Sequence, residues 1–284
     1  MKRLPRLMAR FRSAADEAST PHSAVPRPPT ELNRFQAAFC EWNALRLGIS
    51  LAASRRRFDA SQRAVRDGHG GAAFRAFNDL GHALFAVFAD DSEREVYDAY
   101  RLHAPAHFLR TLAYAEPRWL DSNPVLRWAS DLDDVVILDF GCGLAQASIT
   151  LAEVLTEPHR RVSLHLADIS TLRFEFLKWF VDGLGIDAHV YECTPTDRVP
   201  TLPACDILVA REFFEHVHDP VFYLDRLDAS LRPGGMLVTA VSDHRPEFMH
   251  VSPNLTAVRR RLHDLGYSDV VENRILQKGG SAVL

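Results

Sequence analysis

The sequence predicts a doubly wound α/β fold, a mostly parallel seven-stranded sheet preceded by a helical N-terminal region. Three observations carry that prediction. From Val135 onward, short runs rich in Val, Ile and Leu alternate with stretches whose apolar residues recur at helical spacing, the order that builds parallel strands covered by helices. Before that point, residues 31–131 show helical spacing without such runs. Where the first strand meets its helix, VVILDFGCGLAQASI (135–149) breaks at two closely spaced glycines. Doubly wound sheets bind ligands at the carboxyl ends of their strands, where such turns lie.

The chain divides into residues 1–30, 31–131 and 132–284. The opening segment is Arg-rich at its start and Pro/Ser-rich at its end. It lacks the apolar core of a secretory signal and faintly resembles an organelle transit peptide. Such a composition buries too little apolar surface to order itself, so a disordered leader is expected. ELNRFQAAFCEWNALRLGISLAASRRRF then places Leu32, Phe35, Phe39, Trp42, Leu45 and Ile49 at helical spacing. RDGHGG (66–71) is a break, and FRAFNDLGHALFAVF is a second, strongly apolar helix. DSEREVYDAYRLHAPAHFLRTLAYA opens on a capping-box pattern, Ser92 three residues before Glu95, and runs helically until Pro105 disturbs it. SNPVLRWASDL is a short helix leading into the first strand.

The strand candidates are VVILDF (135–140), VSLHLAD (162–168), AHVYEC (188–193), DILVA (206–210) and MLVTAV (236–241). Between them QASITLAEVLTE, STLRFEFLKWFVDGLG and DPVFYLDRLDASLRPGG read as helices. LTAVRRRLHDLG (255–266) is a further helix, followed by YSDVVENRIL and a short GSAVL.

Composition removes several functions. The 47% hydrophobic and 25% charged fractions are those of an ordinary globular protein. A net charge of −4 provides no basic field, which argues against a nucleic-acid partner. Cys40, Cys142, Cys193 and Cys205 lie far apart with no CxxC pair, so they read as reduced thiols of a cytoplasmic protein. No apolar run approaches the roughly 20 residues needed to cross a bilayer.

The first turn suits a ligand with an anionic group. Gly141 and Gly143 let the backbone turn tightly and approach closely, and amides opening the next helix face a carboxylate or phosphate. A glycine turn alone is also compatible with plain strand-to-helix packing. The second strand ends in Asp168, at a spacing from the turn that allows a carboxylate to accept both ribose hydroxyls. Asp168 is equally placed to cap the helix that follows. Turn and Asp together point to an adenosine-type cofactor, and NAD and S-adenosylmethionine both satisfy that geometry.

The later segments separate the two. CDILVAREFFEHVHDP followed by LRPGGMLVTAV resembles the class I, Rossmann-like S-adenosylmethionine-dependent methyltransferases. The matching motifs are Asp139-Phe140-Gly141-Cys142-Gly143, Asp168, Glu215-His216-Val217, and Leu231-Arg232-Pro233-Gly234-Gly235, and the likeness covers 135–284. The resemblance implies that Asp139 and the backbone from Gly141 through Cys142 and Gly143 to Ala145 border the methionine moiety. It implies that Asp168, with Ile169 beside it, holds the ribose. Arg211, Glu212 and Phe213 follow strand four, near cofactor or acceptor. Phe213 and Phe214 are placed to pack against adenine or the sulfonium region, with plain packing against the sheet an equal alternative for one of the two.

The chain departs from the family pattern at Ala145, which stands where a third glycine is common, and after strand three. There YECTPTDRVP lacks the usual Asp for the adenine amino group, leaving Thr194, Asp197 or backbone alone to carry it. No Asn-Pro-Pro-Tyr or Asp-Pro-Pro-Tyr follows strand four, and no Pro-Cys nucleophile is present, so a small-molecule acceptor is expected. A hydroxyl or protonated amine needs a base to remove its proton. His216, His218, His244 and His250 are candidates. His244, after strand five, is the first choice; His216, in the common Glu-His-Val stretch, is usually structural.

His103 and His107 have the i, i+4 spacing of metal ligands, but with Pro105 between them and no third ligand no metal site is assigned. Tyr97, Tyr100, His103 and Phe108 lie on a segment that can lid the site. The helical region is expected to cover the acceptor, line its pocket or form a homodimer interface. The reading is a methyltransferase acting on a small metabolite, as in specialised-metabolite biosynthesis. Its alternative is a non-methylating S-adenosylmethionine-binding scaffold or regulatory protein. A nicotinamide oxidoreductase leaves Glu-His-Val and LRPGG unexplained.

Overall fold

The computed structural model describes residues 32–66, 124–156, 160–244 and 250–279, together with positions 94, 96–98, 100, 101, 108, 109, 111 and 112. The stretch 31–58 with its apolar spacing is two helices, not one. Helix α1 (Arg34–Leu47) opens on a capping box: Asn33 Oδ1 accepts from the Gln36 N–H at 2.9 Å, and Gln36 Oε1 accepts from the Asn33 N–H at 3.2 Å. It ends at Gly48, in the left-handed region, and α2 (Leu51–Arg66) begins three residues later. The break leaves Phe35, Phe39 and Trp42 buried, while Leu45 on the same stripe is 73% exposed. The capping box at Ser92, the apolar helix 74–88, the leader 1–30, His103, His107 and GSAVL (280–284) lie outside the described residues.

Short helix α3 (Pro124–Ala129) leads into β1 (Asp134–Phe140). Then follow α4 (Gln146–Leu155), β2 (Arg161–Ile169), α5 (Leu172–Asp182), β3 (Asp187–Cys193), β4 (Cys205–Ala210), a 3₁₀ turn (Phe214–His216), α6 (Pro220–Asp228), β5 (Leu231–Thr239), α7 (Thr256–Asp264), β6 (Tyr267–Val271) and β7 (Ile275–Lys278). The seven strands lie in the order β3-β2-β1-β4-β5-β7-β6, all parallel except β7, which runs antiparallel between β5 and β6. The order reverses between β1 and β4, so a crevice opens beyond their carboxyl ends.

Two boundaries differ from the sequence reading. Helix α6 stops at Asp228, and LRPGG belongs to β5 rather than to the helix. Cys205 pairs with Leu231 but Ile207 pairs with Met236, so the surplus residues of β5 bulge. Asp206 anchors that bulge: its carboxylate accepts from the Val136 N–H at 2.8 Å and pairs with Arg232 at 2.6 Å. The final strand is Ile275–Lys278, which turns back on β6 through Asn273 at φ 54°.

Alternation along β1 splits its side chains between two faces. Leu138 and Phe140 enter a core with Phe214, Tyr223 and Leu224 and with Val258 and Leu262 of α7. Asp139 points the other way, toward α4, where the Ser148 hydroxyl donates to it. The N-terminal helices join this framework through rings. Phe176 of α5 lies 5.9 Å from Phe39, 5.5 Å from Trp42 and 5.5 Å from Phe108, centroid to centroid. The described residues from Asn33 onward form one compact unit. No helix among the described residues is long and apolar enough to cross a membrane.

Phe176 is fully buried and touches both halves of this unit. Phe176→Ala is expected to cost about 3–5 kcal/mol. Chemical denaturation followed by Trp fluorescence and by circular dichroism should show one transition at a lower midpoint in both signals.

Candidate functional site

The chain leaves β1 through a turn with little freedom. Gly141, at φ 70°, donates its N–H to the Ala167 carbonyl at 2.8 Å, tying the turn to β2. A Cβ at Gly141 would lie 2.5 Å from Phe213 Cδ2, so neither its backbone angle nor its neighbour tolerates a side chain. Ala145 closes the turn, donating its N–H to the Cys142 carbonyl at 2.7 Å. It sits at the N-cap of α4 at φ 49°, a left-handed conformation that costs an alanine roughly 1–2 kcal/mol. Ala145 therefore keeps the geometry of a third glycine while adding a buried methyl.

Asp168, at the end of β2, is held from three sides. Its Oδ2 accepts from the Gly143 N–H at 2.7 Å and from Arg173 Nη2 at 3.1 Å, and its Oδ1 accepts from the Ile169 N–H at 2.7 Å. The cap of α5 is supplied instead by Thr171, whose hydroxyl accepts from the Phe174 N–H at 3.2 Å. That frees Asp168 from the capping role and leaves it on the wall of a cavity of about 620 Å³. Arg173 lines the same wall, and the sequence reading missed it; a basic residue five positions after an acidic strand end was the available signal.

Deeper in the wall lies Asp139, which is buried and lines the cavity. Burial pushes its carboxyl up to about 7, against the 2.5 Å hydrogen bond from Ser148, which favours the charged form. Nearby, Gln146 Nε2 is buried on the cavity wall without a hydrogen-bond partner among the described residues. Glycine backbone, a buried carboxyl and an orphan amide donor fit a ligand carrying both an ammonium and a carboxylate.

After β4 the chain forms the remaining wall. Arg211, Glu212 and Phe213 line it, Glu212 in a left-handed conformation at φ 47°. Phe213 packs edge-on to Phe140 and Tyr223, whereas Phe214 is fully buried in the core, so the two phenylalanines divide as the sequence suggested. His216 and His250 line the cavity, and so do Tyr97 and Tyr100. Burial holds the Tyr100 hydroxyl protonated well above its usual range, so it is a donor and no base. His244 stands outside the lining; its Nε2 is 3.6 Å from Oε1 of the fully buried Glu215. Burial also pushes the Glu215 carboxyl up, to about 8.

Of the residues singled out from sequence, Asp139, Gly141, Cys142, Gly143, Ala145, Asp168, Ile169, Arg211, Glu212, Phe213 and His216 converge on this one cavity. Thr194 and Asp197 do not line it; they close a surface loop on each other, the Asp197 N–H donating to the Thr194 carbonyl at 3.2 Å. Cys193, one residue earlier, lines the cavity in their place. Phe108 is core rather than lid.

Two outcomes test this geometry. Gly141→Ala should lose at least about 2 kcal/mol from left-handed strain and the clash with Phe213. Ala145→Gly should stay within about 1 kcal/mol of the parent, because relief of strain offsets a lost methyl contact and a more flexible unfolded chain. Urea denaturation of both variants decides this. Asp139 keeps its proton to about pH 7 when folded and to about pH 4 when unfolded. The native state thus binds more protons in that window, and stability falls as pH rises through it. Asp139→Asn should flatten that part of the stability–pH curve and stabilise the fold most at pH 8.

Residues 138–237 match the family model described as a methyltransferase domain. The ubiquinone biosynthesis O-methyltransferase of Nitrobacter winogradskyi is 31% identical over 156 residues, covering 52% of this chain and 55% of the relative. That of Parvibaculum lavamentivorans is 31% identical over 113 residues, covering 38% and 40%. The chain thus spans about half the length, or less, of these curated relatives. Among solved structures, magnesium protoporphyrin IX methyltransferase from Synechocystis PCC 6803 with bound SAH aligns at TM-score 0.48 and 15% identity, covering 67% of this chain and 100% of that one. A SAM-dependent methyltransferase from Aquifex aeolicus aligns at TM-score 0.41 and 20% identity, covering 55% and 86%. The matched region runs from β1 into β5 of the doubly wound sheet, so this part of the chain is similar to a methyltransferase domain.

Proposed function

We propose that the protein transfers a methyl group from S-adenosylmethionine to a hydroxyl-bearing small molecule. The observation that carries this is a cavity at the switch point of the sheet, which joins Asp139, the 141–145 turn and Asp168 to the histidines His216 and His250. When bound, S-adenosylmethionine supplies a methyl on a sulfonium whose positive charge vanishes on transfer. Asp139 is placed for its ammonium, Gln146 Nε2 for its carboxylate, and Asp168 for the ribose hydroxyls, with Arg173 holding that carboxylate in position. Ile169 and Cys193 bound the adenine end in place of Thr194 and Asp197. Cys142 and Ala145 contribute backbone, and Arg211, Glu212 and Phe213 face the sulfonium region.

The chain's own work is to align the acceptor oxygen behind the methyl carbon and keep water out. With the methyl donor bound, the acceptor hydroxyl would give its proton to a base as its oxygen takes the methyl group. His216 and His250 are on the cavity wall for that role, with His244 behind them. Relatives named as O-methyltransferases of ubiquinone biosynthesis support an oxygen acceptor.

We further propose a cytoplasmic location, supported by the four free cysteines, and a homodimer built through the N-terminal helices. The acidic balance of the chain, −4, supports a small-molecule partner over nucleic acid.

Calorimetry with S-adenosylhomocysteine tests the cofactor assignment. Asp168→Ala is expected to weaken binding at least about ten-fold without unfolding, the loss of two charge-assisted hydrogen bonds. Affinity should rise between pH 6 and 8 as Asp139 ionises, and that rise should vanish in Asp139→Asn. Unchanged affinity in both variants would mean the cofactor lies elsewhere. Radiolabelled methyl incorporation from a metabolite extract separates an enzyme from a non-methylating scaffold.

A further inference from the structure

Glu215 is 0% exposed on the 3₁₀ turn after β4, and among the described residues its carboxyl oxygens meet no hydrogen-bonding group other than the Glu212 carboxyl. A carboxyl so buried is costly to ionise, a burden that a bound cation would relieve. Around it stand three imidazoles and a second carboxylate. The ligand atoms of Glu215, His216 and His250 all lie within 4.8 Å of one another, and so do those of Glu212, Glu215 and His244. His244 Nε2 is 3.6 Å and His216 Nε2 4.0 Å from Glu215 Oε1. The His250 ring is close to both of the others, with centroids 4.9 Å from His216 and 5.0 Å from His244.

We propose that Glu215, His216 and His250, backed by Glu212 and His244, bind one divalent transition-metal cation in the wall of the cavity. Bonds of about 2.1 Å around a tetrahedral ion set ligand atoms roughly 3.4 Å apart, so these groups close on it by side-chain rotation of about an ångström. The backbone already holds them. The Ser252 N–H donates to the Glu215 carbonyl at 2.9 Å and the Ser252 hydroxyl to the Val217 carbonyl at 2.7 Å, tying the His250 segment to the 3₁₀ turn. The His244 N–H donates to the Pro253 carbonyl at 2.9 Å, binding the third segment to the second. Pieces far apart in sequence are thereby fixed around one carboxylate.

The donor set selects the ion. Imidazole with carboxylate suits Zn²⁺, Fe²⁺, Co²⁺ or Ni²⁺, whereas Mg²⁺ and Ca²⁺ prefer oxygen alone. Glu212, His216 and His250 line the cavity while Glu215 lies beneath them, so the ion faces the bound acceptor. Resting on the methyl-transfer reading, this makes the acceptor class one whose hydroxyl ionises beside a cation: a charge there would lower a neighbouring hydroxyl's pKa, so its proton would leave to water and not to His216 or His250, whose ring lone pairs the ion would take.

The test uses the full chain stripped with a chelator, then titrated with CoCl₂ by visible absorption and with ZnCl₂ by calorimetry. One equivalent of each is expected, with a cobalt band of the intensity that low coordination gives. His250→Ala, in a half-buried loop, should weaken binding by about ten-fold or more, and Glu215→Gln should do the same. Should Glu215→Gln fail to fold by circular dichroism, His250→Ala and His216→Ala carry the comparison. A stripped chain that takes up no Co²⁺ or Zn²⁺, or a His250→Ala variant that binds them as tightly as the parent, overturns the site. S-adenosylhomocysteine binding by the same stripped chain separates the readings. S-adenosylhomocysteine bound without cobalt overturns the metal site alone; cobalt bound without S-adenosylhomocysteine supports the site and overturns methyl transfer.

Discussion

The turn after β1 exists because Gly141 has no side chain. Phe213, arriving from β4, occupies the space that a Cβ would fill, and the Gly141 N–H reaches across to Ala167 of β2. One residue thus ties together the three central strands β2, β1 and β4 just beyond the point where the strand order reverses. Gly143 continues the arrangement by donating to Asp168, so the turn and the carboxylate at the end of β2 fix each other. Without that close approach, Asp139, Asp168 and Phe213 would belong to separate strand ends instead of one cavity.

The same region concentrates costs that packing elsewhere has to offset. Asp139 and Glu215 are buried carboxyls whose ionisation burial opposes, and Ala145 and Glu212 hold left-handed conformations that glycine would take without strain. Their common location at the strand ends is where a fold of this kind binds ligands. The ring cluster of Phe39, Trp42, Phe108 and Phe176, the core around Leu138, Phe140 and Tyr223, and the regular parallel ladder supply the stability that lets these positions remain strained.

Much of this was legible in the chain itself. The strands from β1 to β4 are nearly where the apolar runs place them, because a strand buried on both faces leaves an unbroken apolar signature. The turn and Asp168 were legible because their spacing is set by local geometry. The N-terminal stripe was misread as one helix, since apolar spacing continues past Gly48 and only the left-handed cap reveals the break. LRPGG looked like a helix end because Pro and Gly punctuate both helices and bulged strands; the pairing of Cys205 with Leu231 and Ile207 with Met236 decides between them. Arg173 escaped notice because its one local mark, five positions after an acidic strand end, does not single out Asp168 as its partner.

By itself the sequence determined the class of fold, the glycine turn and the acidic residue at the end of β2. These are properties of neighbours along the chain or of a fixed periodicity. Only tertiary structure decided that Phe213 faces the cavity while Phe214 is core, that Thr194 and Asp197 stand away from it, and that His216, His244 and His250 gather around Glu215. Those outcomes depend on segments brought together from β4 and from the connection between β5 and α7, and no local pattern records how far apart two such segments finish in space.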